Sequence, residues 1–145
     1  MIERPMAMGL LDVTEYDPQG RWRTIRTPNP AWADVESAVR RMDGDRFPTV
    51  WLYADEEASD DAVPDFELLG GHVGHVVTAR PEKGEFYYRD DRAPSQEVQV
   101  WLSDQGLSCP GFMVCRDLER VIEATRFFFD TGRLLDGFPW SPDFG

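Results

Sequence analysis

Lysine is almost absent from this 145-residue chain, which has one lysine, Lys83, among its 15 basic residues. The acidic residues number 27, so the net charge at neutral pH is −12. A chain with this charge repels phosphate backbones, and we therefore expect no direct binding to DNA or RNA. The same charge attracts a basic partner, including a protein whose own ligand is a nucleic acid.

Cysteine and long apolar runs are also scarce. The two cysteines, Cys109 and Cys115, cannot make a disulfide framework, and we expect both to be reduced thiols. No apolar run approaches the roughly 20 residues needed to cross a bilayer. The first residues include Glu3 and Pro5 and do not resemble an export signal. Together these features predict a cytoplasmic protein that does not act at a membrane.

Histidine occurs twice, at His72 and His75, and this pair is the one candidate for a metal site. Side chains three residues apart on a strand point to opposite faces, so the pair would not converge on one ion. No thiol nearby in sequence completes a ligand set. The neighbouring glycines Gly70, Gly71 and Gly74 lack the spacing of a dinucleotide fingerprint and predict a hairpin or bulge. We therefore predict neither a metal nor a cofactor.

Cys115 is the strongest candidate for a nucleophile, because it precedes a helical pattern and a helix start can stabilise a thiolate. It could equally be an N-cap or a small buried residue. No serine stands in a nucleophile-elbow motif, so we predict no catalytic residue. The alternative is a ligand-binding or enzymatic domain. Its pocket would lie between the sheet and the C-terminal helix, with His72, His75 and Cys115 as polar groups.

Apolar periodicity predicts one α+β domain over residues 1–145. Strands are predicted at residues 8–15, 21–26, 49–54, 66–69, 73–79, 85–89 and 97–102. The short spacings between residues 66 and 102 predict an antiparallel meander, within a sheet of about five to seven strands. Two main helices would pack on this sheet.

The helix ends have recognisable signals. The first helix is predicted to begin with Asn29 as N-cap and Pro30 as first residue, and to end at Gly44. The second follows Cys115, carries a phenylalanine-rich buried face and ends at Gly132. The aromatic tail after it is predicted to place Trp140 on the rim of the sheet.

Acidic residues are concentrated in one segment. Residues 48–79 contain seven carboxylates and no lysine or arginine. We predict that its part from Asp55 to Asp65, which we call the acidic segment, steers a basic partner to its docking site, with the binding residues Asp55, Glu56, Glu57, Asp60, Asp61 and Asp65. Aromatic side chains would anchor the partner, the candidates being Trp51, Trp101, Tyr87 and Tyr88. The alternative is a solvated loop without a partner.

The order of these motifs resembles a known family. Asn29-Pro30-Ala31-Trp32 opens a helix, Gly70-Gly71 precedes a strand, and a phenylalanine-rich helix ends in Thr131-Gly132 before Trp140. Over residues 25–140 this pattern resembles the first-numbered immunity protein family of bacterial polymorphic toxin systems. Members of that family are similar to the immunity protein of a double-stranded-DNA cytidine deaminase toxin.

The resemblance implies a non-enzymatic α+β domain whose partner is a cognate secreted toxin domain, commonly a nucleic-acid deaminase. The acidic segment fits such a toxin, because a toxin that accepts DNA or RNA needs a basic channel. A third possibility is a self-assembling subunit, which an exposed patch and a symmetric dimer would support. The sequence leaves the oligomeric state open.

Overall fold

The computed structural model describes residues 8–143, which form a seven-stranded antiparallel sheet with two helices on one face. The strands of this sheet are β1 (Leu10–Tyr16), β2 (Trp22–Pro28), β3 (Thr49–Tyr53), β4 (Phe66–Gly70), β5 (His75–Ala79), β6 (Phe86–Tyr88) and β9 (Trp140–Ser141). Their order across the sheet is β2-β1-β3-β4-β5-β6-β9. The helices are α1 (Trp32–Arg41) and α2 (Leu118–Thr131). The predicted α+β class and the predicted number of strands are confirmed.

The main core lies between the sheet and the helices. One face of the sheet contributes the buried side chains Leu11, Val13, Val50, Leu52, Phe66, Leu68, Val77 and Ala79. Helix α2 packs Phe128 against this layer, with its ring centroid 5.2 Å from that of Phe66. Burying a phenylalanine ring contributes on the order of 2 kcal/mol, so this interface is a major source of stability.

Helix α2 ends as its sequence predicts, but it begins at Leu118, three residues after Cys115, which the sequence places at the helix start. Asp117 is the N-cap, and its carboxylate accepts a hydrogen bond of 3.3 Å from the backbone N–H of Arg120. Gly132 takes the left-handed conformation, with φ of 70°, and donates its N–H to the carbonyl of Phe128. The tail then pairs Trp140 with Tyr88 at the edge of the sheet, which confirms its predicted position.

The predicted start of α1 is wrong. The N-cap is Ala31, whose N–H donates to the carboxylate of Asp34 over 2.9 Å. Asn29 has a φ of 48° and donates its N–H to the carbonyl of Gly9, so it belongs to the end of the β1–β2 pair. Asn29, which the sequence assigns to the helix cap, is therefore held by a hydrogen bond at the end of the strand pair. Helix α1 begins after Pro30.

The predicted end of α1 is also wrong, because the helix stops at Arg41 and Gly44 lies in the turn beyond it. A side chain at Gly44 would place its Cβ only 2.4 Å from the carbonyl oxygen of Val100. Gly44 therefore permits a close approach between this turn and the strand that carries Val100.

The meander ends earlier than predicted. The segment 97–102 does not join the main sheet. It forms β7 (Glu97–Trp101), which pairs with β8 (Leu107–Pro110), a strand absent from the prediction. A 3-10 helix (Gly111–Met113) follows. Apolar alternation in β7 predicts a strand but does not specify its partner. Val100 and Cys109 are buried in a second small core, and the alternation would look the same if the strand packed on the main core.

The β7–β8 hairpin covers only part of the sheet face opposite the helices. Leu69, Val76 and Tyr87, on β4, β5 and β6, share its core. On the half formed by β1, β2 and β3, the hairpin reaches only the end of β1, where Trp101 contacts Tyr16, and Ala58 and Ala62 of the following loop pack on Leu10 and Tyr53. The rest of this half holds the candidate site. No helix in residues 8–143 is long and apolar enough to cross a membrane. Most of the N-terminal stretch from which we predicted no export signal lies outside the described residues.

Candidate functional site

The half of the sheet face formed by β1, β2 and β3 carries a depression of about 510 Å³, which we call the sheet trough. Its lining residues are Asp12, Thr14, Trp22, Thr24, Arg26, Trp51, Tyr53 and Asp60. All except Asp60 come from β1, β2 and β3, and Asp60 reaches in from the acidic segment. The trough therefore lies where the open sheet face meets that segment.

Strand register explains why these side chains lie together. Asp12 is paired with Arg26 on one side and with Trp51 on the other, and Trp51 is paired with Glu67. Cross-strand partners project from the same face of a sheet. Asp12 also follows the core residue Leu11, so alternation along β1 turns it away from the helices.

Arg26 connects the trough to the acidic segment. Its guanidinium donates to both carboxylate oxygens of Asp12, over 3.1 and 3.0 Å, and Asp12 is only 2% exposed. It also donates to the carbonyl of Ala58 over 2.9 Å and to the exposed carboxylate of Asp60 over 3.2 Å. A buried carboxylate is strongly destabilising without a partner, so Arg26 serves both the strand and the loop.

Two tryptophans give the trough an aromatic character. The side chain of Trp22 is 63% exposed, which is unusual for the largest apolar residue. Trp51 is half-buried, and its indole Nε1 is buried and has no hydrogen-bond acceptor among residues 8–143. Buried indole N–H groups usually have an acceptor. Trp51 is thus an unused donor at the floor of an exposed aromatic surface.

Glu67 extends the row of cross-strand partners beyond Trp51. Burial raises the pKa of its carboxyl, while the charge of Arg80 lowers it and that of Glu85 raises it. A cation brought close to Glu67 would favour its charged form. The floor beside the trough is therefore better suited to a positive group than to a negative one.

Two of the six predicted binding carboxylates shape the acidic segment itself. Asp55 accepts the N–H of Glu57 over 2.9 Å, and the half-buried Asp65 accepts the N–H of Ala54 over 2.8 Å. Such local carboxylate-to-backbone bonds fix loop conformation. Asp55 and Asp65 therefore hold the loop in its shape.

The other four predicted carboxylates are exposed. Glu56 accepts the side-chain amide of Asn29 over 2.5 Å, and Asp60 accepts from Arg26. Glu57 and Asp61 have no side-chain hydrogen bond or ion pair with any part of the chain from residue 8 to residue 143. These two are the carboxylates best placed for a partner, and the binding role of all six stays a prediction.

The aromatic residues predicted as anchors occupy different places. Trp51 lies in the trough. Trp101 is half-buried, contacts Tyr16 edge-on and donates its Nε1 to Ser103 over 2.7 Å. Tyr87 packs under the β7–β8 hairpin and Tyr88 packs against the main core.

His75 and Cys115 do come together, through their backbones. Each donates its N–H to the carbonyl of the other over 2.9 Å, in an isolated bridge before α2. Burial raises the pKa of the Cys115 thiol, and burial lowers the pKa of His75 to about 4. A neutral thiol beside a neutral, buried imidazole does not favour nucleophilic chemistry.

The predicted positions of these groups need correction. Cys115 lies three residues before the first residue of α2, where it is packed in the main core. His72 is exposed in the β4–β5 turn and belongs to no strand. Neither histidine nor Cys115 lines the trough. Within residues 8–143, no group of three or more His, Cys, Asp or Glu residues could hold a metal ion.

His75 makes acid stability a testable property. The folded-state pKa is about 4 and the unfolded value about 6.5, so the unfolded chain binds more protons between these values. Stability from this group is complete above pH 6.5 and is lost as the pH falls towards 4. We expect His75→Leu to reduce the change in unfolding free energy between pH 7 and pH 5 by about 2 kcal/mol.

Chemical denaturation at both pH values measures this effect, with His72→Leu as the exposed control. An unchanged pH dependence in His75→Leu would remove His75 as its source.

A larger depression, of about 980 Å³, lies at the β1–β2 turn. Glu15 lies on its wall and is shared by Arg23 and Arg46, over 2.7 and 2.6 Å. These guanidinium groups lower the pKa of the Glu15 carboxyl. Glu15 is only 9% exposed and both its carboxylate oxygens are paired, so we assign this cluster a structural role.

Sequence reasoning missed the trough residues on β1 and β2. Alternation in the two strands was visible, but the side of the sheet left uncovered depends on where β7 packs. No family model matches the chain, and no match was found among curated proteins or solved structures. The trough and the acidic segment are therefore the basis for a functional assignment.

Proposed function

We propose that this protein is a non-enzymatic immunity protein that binds a cognate secreted toxin domain and blocks its active site. The toxin would be a basic protein that acts on nucleic acid, with a deaminase as the leading class. The proposal rests above all on one feature, the exposed aromatic trough beside a segment whose free carboxylates include Glu57 and Asp61.

The charges of the two surfaces would be complementary. A nucleic-acid-acting toxin needs a positive channel to hold its substrate, and the acidic segment presents negative charge without any lysine or arginine between residues 48 and 79. Complementary charge accelerates encounter and sets orientation. The acidic segment would therefore act before contact, by bringing the trough to the mouth of the channel.

Affinity would come from the trough. Aromatic residues in well-packed contacts provide most of the binding energy of protein interfaces. Trp22 offers a large exposed ring, and the half-buried ring of Trp51 lies in the same trough. Inhibition then needs no chemistry from this chain, because occupying the channel excludes the substrate.

Growth rescue tests this function. We expect the reading frame directly upstream of this gene to encode the toxin domain. That domain should arrest growth when it is expressed alone, and co-expression of this protein should restore growth. Co-purification of the two proteins would establish that rescue depends on a complex. Arrest that persists despite soluble expression of both proteins would contradict the proposal.

A further inference from the structure

The free edge of the sheet at β2 carries an ordered set of unpaired backbone groups. β2 is the first strand in the sheet order, so among residues 8–143 it has β1 on one side and no strand on the other. At one end of the pair, Asp17 donates its N–H to Arg21, and at the other end Asn29 donates to Gly9. Both hydrogen bonds continue the β1–β2 register, in which Val13 is paired with Ile25.

These two contacts fix the direction of the groups between them. In an antiparallel pair, alternate residues of a strand bond to the neighbour. The backbone groups that face β1 are therefore those of Arg23, Ile25 and Thr27. The groups that face outward are the N–H and C=O of Trp22, Thr24 and Arg26. Pro28 has no N–H and ends the set. The edge contains no bulge, which is one of the features that usually protect free edges.

We propose that this edge pairs with the same edge of a second copy, forming a two-fold symmetric dimer with a continuous sheet. The symmetry axis would pass between the two copies of Thr24. Trp22 of each copy would then pair with Arg26 of the other. Three pairs, each exchanging two hydrogen bonds, would use every outward group of the edge.

The side chains are compatible with this register. Arg21 would face Thr27 and Arg23 would face Ile25, so no arginine lies directly opposite another arginine. Like charges directly opposite each other would be destabilising. The pairing of Trp22 with Arg26 occurs at two symmetric positions. At each of them an indole ring would lie beside a guanidinium, and such a cation–π contact favours association. The sequence of β2 is thus complementary to itself in the antiparallel direction.

Ion pairs further reduce repulsion along the edge. Arg21 is held by Asp17 over 2.8 Å, Arg23 by Glu15 over 2.7 Å and Arg26 by Asp12 over 3.0 Å. Charged side chains commonly protect a free edge, but here each positive charge is balanced within its own copy. The remaining repulsion comes from the net charge of −12, and salt should therefore favour the dimer.

Pairing would also enlarge the trough. Trp22, Thr24 and Arg26 line it from β2, and their partners in the second copy would project from the same face. The trough of one copy would therefore continue into the other, with Trp22 of the second copy beside Arg26. This inference concerns self-association and does not depend on the identity of any toxin.

Disulfide trapping tests the register. The Cα atoms of a hydrogen-bonded antiparallel pair are about 5.5 Å apart, which a disulfide can span. We expect Thr24→Cys to form a cross-linked dimer at least about tenfold faster than Ser37→Cys, an exposed site on α1. The native cysteines are buried and should contribute little. Equal rates for the two variants would overturn the proposal.

A backbone variant separates pairing from chance contact. Thr24→Pro removes one outward N–H and no bond to β1, so the monomer should fold and the dimer should be lost in sedimentation. Thr24→Val keeps the N–H and should keep the dimer. A Thr24→Pro dimer, or a wild-type chain that stays monomeric at high concentration and high salt, would contradict self-pairing. Self-pairing would also be contradicted if the backbone amides of β2 became protected from hydrogen exchange only after an acidic peptide was added.

Discussion

Replacing Glu57 and Asp61 by lysine is expected to slow association with the basic toxin domain by about tenfold or more at low ionic strength. Both side chains are exposed and make no hydrogen bond or ion pair within the described chain, so we expect the substitutions to change charge and leave the loop intact. Wild-type association should slow steeply as salt is added, whereas the double variant should respond weakly. Stopped-flow or surface-based kinetics over a range of salt concentrations measure both effects.

A matched control has the same change in net charge elsewhere. Glu82 and Asp136 are exposed acidic residues outside the trough and the acidic segment. Lysine at both positions should reduce the association rate much less than lysine at Glu57 and Asp61. Equal slowing by the two double variants would mean that only total charge matters, and would remove the acidic segment from the mechanism.

Trp22→Ala is expected to weaken the toxin complex by about 30-fold, mainly through faster dissociation. Aromatic hot spots contribute about 2 kcal/mol or more, and this amount corresponds to such a change in affinity. Because the ring is 63% exposed in the free protein, its removal should leave the unfolding free energy almost unchanged. Calorimetric binding and denaturation curves together separate the two effects.

The control for Trp22 is Val73→Ala, which shortens an apolar side chain that is 39% exposed and lies outside the trough. Its affinity should match that of the wild type. If Trp22→Ala bound the toxin as tightly as Val73→Ala, the trough would not be the contact surface.

Local signals in the sequence predicted the buried face and the Gly132 end of the second helix. The Gly132 terminus acts within one helical turn, so neighbouring residues determine it. The start was placed at Cys115, although the Asp117 cap is an equally local signal. The first helix was less predictable, because Asn29 is held by a strand bond to Gly9, twenty positions earlier. A competing long-range contact of this kind leaves no local pattern.

The candidate site was only partly predictable for the same reason. Composition located the acidic segment, because charge can be counted without a structure. Predicting the trough would have required three separate structural facts. These are the register that joins Asp12 to Arg26 and Trp51, the exposure of Trp22, and the position of β7 in a second sheet. Each depends on strands far apart in sequence, so no single stretch of the chain could reveal them.

Growth rescue by three forms of the protein tests the central claim most directly. Cells that express the toxin domain should grow with the wild type and with the control variant Glu82→Lys/Asp136→Lys. They should grow poorly with Glu57→Lys/Asp61→Lys combined with Trp22→Ala, at equal levels of soluble protein. Equal rescue by all three forms would contradict the claim that the trough and the acidic segment bind the toxin.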